Sequence, residues 1–301
     1  MPAKRLGKDA TFNDNTGSFG TPAWRAHKWI RDIVRNEDPG GKIDATDRFH
    51  ASVTNLTTRY KLSYDIDGIW QANTSQTALR TAFLAGSVLD LAVLDRISTA
   101  TSPSSGLGHR GECLIKKFSL EFPLNGEQKL SITVVPHGNY ASGQSVVTYT
   151  DATTVLGTAD AAGTRKLGKT GSINNAAGTP LTGIRDFKLN LEWVTANASD
   201  RASEFELEVP TQMQYTVECE FAWDANDTTL TAIRTAYNAH SALATYFVLD
   251  GAYATSGSWG LNSDFVVTKF AYKGPLKDLQ LYSVTLEPRS NATTLPTFVT
   301  I

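Results

Sequence analysis

Trp223-Asp224-Ala225-Asn226-Asp227-Thr228-Thr229-Leu230-Thr231-Ala232-Ile233-Arg234-Thr235-Ala236-Tyr237, running on through Ser241 to Tyr246-Phe247-Val248-Leu249-Asp250, restates a stretch met earlier in the chain. From Trp70 the same landmarks come in the same order: Trp70-Gln71-Ala72-Asn73, Ala78-Leu79-Arg80-Thr81-Ala82-Phe83, Ser87, then Val93-Leu94-Asp95. Self-similarity at matched spacing is the signature of a duplicated structural unit. Here the unit reads as a strand ending in Trp, a helix, and a second strand.

Working outward, the duplication widens. Arg5-Leu6-Gly7-Lys8 returns as Lys166-Leu167-Gly168-Lys169, Ile30-Arg31-Asp32 as Ile184-Arg185-Asp186, and Thr46-Asp47-Arg48 as Ser199-Asp200-Arg201. Downstream, Lys117-Phe118 pairs with Lys269-Phe270, Pro123-Leu124 with Pro275-Leu276, and Pro136 with Pro288. The expected organisation is two tandem domains of one fold, 1–138 and 165–301, joined by a Ser/Thr/Ala/Gly-rich linker at 139–164. The copies differ in their loops. Asn36-Glu37-Asp38-Pro39-Gly40-Gly41-Lys42 carries a Pro-Gly-Gly that predicts a loop where the second copy keeps an alternating strand, Phe187 to Trp193.

The strand before each helix has period two. Leu62, Tyr64, Ile66 and Trp70 lie on one face with Tyr60, while Lys61, Ser63, Asp65 and Asp67 lie on the other. The second copy places Met213, Tyr215, Val217, Cys219, Phe221 and Trp223 inward and Gln214, Thr216, Glu218 and Glu220 outward. Each helix, starting after Asn73 or Asn226, lays an apolar stripe on the sheet, Leu79-Ala82-Phe83 or Leu230-Ile233-Tyr237, with Thr74 or Asp227 as candidate caps. Six or seven strands and one helix per unit predict a mainly β (α+β) chain. Each unit is expected to be a two-sheet antiparallel sandwich or partly open barrel flanked by one helix.

Composition removes several function classes. With 301 residues, 41% hydrophobic, 19% charged and a formal net charge of -2, the chain has no electrostatic footprint for gripping nucleic acid or an anionic membrane. The basic start, Lys4-Arg5, is not followed by an apolar segment, and no uncharged apolar run reaches membrane-spanning length. A soluble product made in the cytoplasm is expected. Cys113 and Cys219 fall at non-equivalent places in the two copies and read as buried free thiols.

Catalytic motifs fail on context. Gly163-Thr164-Arg165-Lys166-Leu167-Gly168-Lys169-Thr170 satisfies the phosphate-loop pattern, but no buried strand precedes it and Gly171 to Pro180 cannot be a helix. The histidines, His27, His50, His109, His137 and His240, have no paired metal spacing, and there is no Gly-x-Ser-x-Gly elbow. The carboxylate pairs Asp65/Asp67 and Glu218/Glu220 read as solvated strand faces. No enzyme, cofactor or metal site is expected.

The ordered features of the second copy, Ser199-Asp200-Arg201, Ala232-Ile233-Arg234, Val248-Leu249-Asp250-Gly251, Asp264 to Thr268 and Val284 to Pro288, resemble the major tail tube proteins of long-tailed bacteriophages. The first copy matches in its helix and in Val93-Leu94-Asp95 but has Arg96 where the second has Gly251. The resemblance implies a virion tail protein, made in a host bacterium, whose rings stack into a tube. Their inner sheets would join as a continuous β-barrel through which DNA passes without specific binding. Two domains per chain then imply a homotrimeric, pseudo-hexameric ring. Partners would be the chain itself, a tape measure protein and tail tip or terminator proteins, with no membrane. On that reading Asp65, Asp67, Glu218 and Glu220 face the lumen, since carboxylates suppress non-specific DNA binding. The loop Glu37, Asp38, Pro39, Gly40, Gly41, Lys42 and the leaders Lys4, Arg5, Lys8, Arg165, Lys166, Lys169 are expected to contact the next ring. The rivals are a carbohydrate-binding or adhesive β-sandwich pair, and a minor tail component, terminator or baseplate hub, of the same fold.

Overall fold

The computed structural model describes residues 4–5, 10–18, 20–38, 42–44, 55–57, 60–94, 107–138, 148–151, 158–159, 163–199, 206–222, 228–276, 279–289 and 296–301. The first half contains β1 (Lys4–Arg5), β2 (Thr11–Asn15), β3 (Trp24–Ala26), β4 (Ile30–Asp38), β5 (Lys42–Asp44), β6 (Asn55–Thr57), β7 (Lys61–Ile69), α1 (Thr74–Leu84), β8 (Leu89–Leu94), β9 (Leu107–Phe122) and β10 (Lys129–Pro136). There follow β11 (Thr148–Asp151), β12 (Thr158–Ala159), β13 (Ser172–Asn175), β14 (Ile184–Asn197), β15 (Glu208–Ala222), α2 (Thr228–Ala239), β16 (Ala242–Leu249), β17 (Trp259–Leu276), β18 (Leu279–Pro288) and β19 (Thr297–Thr300). The chain is mainly β, in antiparallel sheet, with two helices. Among the described residues no helix is long and apolar enough to cross a membrane.

Strand pairing runs in the same order in both halves. Hydrogen-bonded neighbours are β4-β7-β10-β9-β8-β2 in the first and β14-β15-β18-β17-β16-β13 in the second. Irregularities recur with it. The β4/β7 register shifts between Ile30 and Asp32, and β14/β15 between Ile184 and Asp186. The β10/β9 ladder skips Lys116, and the β17/β18 ladder skips Thr268. Bulges sit where a strand must bend, and β9 and β17 bend there so that their first parts pair with β8 or β16 and their later parts with β10 or β18.

The stretch 139–164, expected as a linker, is partly ordered strand. β11 pairs with β9, and β12 runs parallel to β3. The second half has a counterpart to the first of these, because β19 pairs with the matching stretch of β17. The Ser/Thr/Ala/Gly composition predicts a linker, but β-branched Thr beside the edge of β9 favours strand.

The two halves meet edge to edge. β14 pairs antiparallel with β9 over six positions, Phe187↔Phe122 through Glu192↔Lys117. One hydrophobic cluster runs through both, including Trp70, Phe83, Phe118, Phe122, Phe187, Leu230 and Phe265. Among the described residues the sheet does not close on itself: the pairing order is open and ends on different strands, so the β-barrel that the resemblance implies is not formed within one chain.

Local chemistry sets each helix. Asn73, not the expected Thr74, caps α1 by accepting a hydrogen bond from the Gln76 N–H at 2.9 Å, and Thr74 is the first helical residue. The helix stops at Gly86, φ +58°, whose left-handed backbone lets the Ser87 N–H reach the Ala82 carbonyl. His240, φ +50°, takes that position after α2, with the Ser241 N–H on the Ala236 carbonyl. Leu79, Phe83, Leu230 and Ile233 are buried, as the stripes require.

Two equivalent glycines mark where β9 crosses β8 and β17 crosses β16. A Cβ on Gly108 would lie 2.1 Å from the Val93 carbonyl oxygen, and one on Gly260 would lie 1.8 Å from that of Val248. Because backbone cannot yield as a side chain tip does, Gly108→Ala and Gly260→Ala should each cost about 1–3 kcal/mol or more. Urea denaturation checks this, and a neutral outcome at either site would contradict the equivalence.

Candidate functional site

The surface that both units build together is one polar sheet face spanning β4, β7, β10, β9, β14, β15, β18 and β17. Residues directly opposite across antiparallel strands share a face. Thus Lys129, Glu121, Lys188, Glu218, Thr285 and Lys269 form one row crossing from the first unit to the second. The four acids singled out in the sequence all lie on it. Asp65 stands opposite Thr133, Asp67 opposite Ser131, Glu218 opposite Thr285 and Glu220 opposite Ser283.

Side-chain bonds tie the face together. Asp65 accepts from Asn36 Nδ2 and from Thr133 Oγ1, both at 2.7 Å, and Asn190 accepts from Ser119 Oγ at 2.8 Å. Lys273 donates to Glu220 at 2.9 Å, Lys129 to Glu121 at 3.0 Å, and Lys117 lies 3.3 Å from Glu192. The face is therefore mixed in charge, with lysines interleaved among the acids. The acidic pairs on single strands do not reveal those lysines, which come from neighbouring strands. In both units an acid stands opposite another, Asp32 across from Asp67 and Asp186 across from Glu220.

The expected loop divides. Glu37 and Asp38 belong to β4, opposite Leu62 and Lys61, so the strand persists up to the proline. Pro39, Gly40 and Gly41 lie outside the described residues. Lys42 begins β5, which pairs with β6 in a separate two-stranded ribbon. Flanking β7 supplies a ladder partner for residues 37 and 38, a long-range contact that the Pro-Gly-Gly reading could not weigh.

The leaders also differ from exposed arms. Lys4 and Arg5 pair as β1 with Arg35 and Val34 of β4, and Lys8 lies outside the described residues. The second leader is docked against the first unit. Lys166 Nζ lies 2.8 Å from Asp250 Oδ2, the Gln128 N–H donates to the Lys166 carbonyl at 2.9 Å, and Arg165 lies 2.9 Å from Glu127. Gly168 is buried, with no room for a Cβ beside the Pro123 carbonyl. A single 3₁₀ turn, Gly168–Thr170, leads straight into β13, so the phosphate-loop pattern lacks its helix. Lys169 sits in that turn, exposed. The surrounding cleft, about 1030 Å³, is lined by residues 163–173 and by Asp250 and Gly251.

Asp250 is the centre of the joint between halves. It is 1% exposed and accepts from Trp70 Nε1 at 2.9 Å and from the Trp259 N–H at 2.8 Å, besides its ion pair with Lys166. The Arg80 guanidinium lies 4.5 Å from the Trp259 ring and 5.9 Å from that of Trp70. Burial lowers the Arg80 pKa, with Asp250 acting in the opposite direction. Trp223, the second copy's equivalent of Trp70, lies outside the described residues.

Cys113 and Cys219 are buried and unpaired to each other, and burial pushes both thiols far above their ordinary range. Among the described residues no group of three or more His, Cys, Asp or Glu is arranged to hold a metal ion.

No protein-family model matches the sequence. Nor does any curated protein. Two solved structures are similar to part of the chain: the virion of a native gene transfer agent particle, and the tail of an empty gene transfer agent particle with C6 symmetry. Each has a TM-score of 0.35 and 13% identity, covering 44% of this chain and 98% of the other.

Proposed function

We propose that the chain is a structural subunit of a phage-type tail tube, in which a duplicated tube domain lets three copies close a pseudo-sixfold ring and rings stack into a conduit for DNA. The observation that carries this reading is the repeated pairing order, bulges included, with the two units already joined β9 to β14. A unit that joins its twin edge to edge inside one chain is built for a sheet that continues between chains. The sequence resemblance to tail tube proteins supports the same reading.

On this account the polar sheet face lines the lumen, with Asp65, Asp67, Glu218 and Glu220 on it, and DNA slides past without being held. Tape measure and terminator or tip proteins would meet the tube's interior and ends. The location would be the virion tail, after synthesis in a bacterial cytoplasm.

Ring stacking is assigned to the excursion between β4 and β7, which holds the β5–β6 ribbon, with Lys4, Arg5, Lys8 and Lys169 as further contacts. The second unit makes the corresponding connection in the shorter stretch 198–207. Replacing residues 39–60 by that shorter connection should leave rings and abolish tubes, as read by electron microscopy. Tubes of normal length would contradict the assignment.

Negative-stain microscopy of the purified chain tests the proposal itself. Rings or hollow filaments are expected. Dispersed single chains that bind glycans would overturn it in favour of an adhesive β-sandwich.

A further inference from the structure

The internal contact between the units predicts the contact between chains. Six positions of β14 lie on the outer edge of β9: Phe187↔Phe122, Lys188↔Glu121, Leu189↔Leu120, Asn190↔Ser119, Leu191↔Phe118 and Glu192↔Lys117. Shared registers fix the equivalents of these strands. Ile132↔Phe118 matches Val284↔Phe270, so β9 corresponds to β17. Ile33↔Ile66 matches Phe187↔Cys219, so β4 corresponds to β14. Among the described residues, no strand pairs with the outer edge of β17 beyond Val266, where β9 carries β14. Among the described residues, the edge of β4 that corresponds to the joined edge of β14 carries only the two residues of β1.

We infer that the open edge of β17 takes β4 of a second copy, in the register Arg35↔Tyr272, Asn36↔Ala271, Glu37↔Phe270 and Asp38↔Lys269, ending before the irregular turn of β17 at Gly274. This deepens the tube reading by naming the edges that join chains around a ring. The contact is head-to-tail, so it propagates until it closes.

The side chains agree with the register. Lys117 and Glu192 lie 3.3 Å apart in the internal joint, and their counterparts Lys269 and Asp38 carry the same charges at the same positions. Tyr272 is 52% exposed in the single chain, whereas its counterpart Leu120 is 1% exposed beneath the joint. An exposed aromatic on an unpaired edge is what a joined edge would cover. Pairing requires β1 to leave β4. The second unit shows where such a segment goes, since its leader bonds to Glu127 and Gln128 in the turn after β9 of the preceding unit. By the same relation, the first leader would pass to the turn after β17 of the preceding chain. β1 thus covers the edge until a partner arrives.

Cysteine cross-linking of the full chain tests the register. Directly opposed Cα atoms in antiparallel sheet lie about 4.5–5.5 Å apart, within the span a disulfide bridges. Both native thiols are buried and hard to ionise, which keeps them out of the reaction. Under mild oxidation Asp38→Cys/Lys269→Cys should give a ladder of disulfide-linked multimers that reductant collapses. Each single variant, and the displaced pair Asp38→Cys/Tyr272→Cys, should stay uncross-linked. Multimers without rings or tubes in the microscope would keep this contact and overturn the tube reading. Rings or tubes without cross-links, or cross-linking by a single variant, would overturn this contact and leave the tube reading standing. A chain that never associates overturns both.

Discussion

Trp70→Ala is expected to lower unfolding free energy by about 3–5 kcal/mol, the range for truncating a buried large aromatic. The ring is 0% exposed and stands edge-on to Phe118, with centroids 6.0 Å apart. Its Nε1–H is one of the bonds that satisfy buried Asp250. Alanine therefore leaves both a cavity and a carboxylate short of one donor, with Trp259 N–H and Lys166 remaining. Trp70→Phe keeps most of the packing and removes the bond alone, for which about 1.5–3 kcal/mol is expected because the acceptor is charged. Urea denaturation of the three proteins separates the two contributions. A Trp70→Ala cost under about 1 kcal/mol would mean that the joint between halves collapses around the gap, and would contradict the packing described.

The second large effect concerns transport. Reversing Asp65, Asp67, Glu218 and Glu220 to lysine moves the formal charge of each chain from -2 by eight units to +6. Rings should still assemble, because none of the four lies in the apolar core, although Asp65 loses its bonds to Asn36 and Thr133, and Glu220 its pairing with Lys273. On the proposed tube reading, passing DNA would then meet a cationic lumen. Each lysine that neutralises a phosphate releases counterions and adds roughly 0.9 to the salt slope of binding. DNA ejection from virions carrying the variant should slow, with partial recovery as ionic strength rises. Because lysines such as Lys129 and Lys188 already share the face, the native charge is balanced rather than uniformly acidic, and the reversal tips that balance. Unchanged ejection would remove these four residues from the lumen.

The sequence carried most of the fold because the repeated elements are written in local signals. Period two in β7 and β15 and the stop at Gly86 are each decided within a few residues. What it did not carry depends on contacts made across the chain. Glu37 and Asp38 stay in β4 because β7 holds them in a ladder, which the neighbouring Pro-Gly-Gly conceals. Lys166 looks like part of a basic arm until Asp250 is placed beside it, 84 residues away. The joining of β14 to β9 has no local signature, since an edge strand and a central strand differ in what lies beside them and not in their own alternation. Once that joint is known, the free edge of β17 and the exposure of Tyr272 follow from it.

The number of chains in one ring tests the duplicated-tube account most directly. Native mass spectrometry of rings released from assembled tubes should give three copies of the chain per ring, each supplying two units. Six copies per ring would contradict the equivalence of the two halves as neighbours in one sheet, and a chain that remains single under every assembly condition would contradict the tube itself.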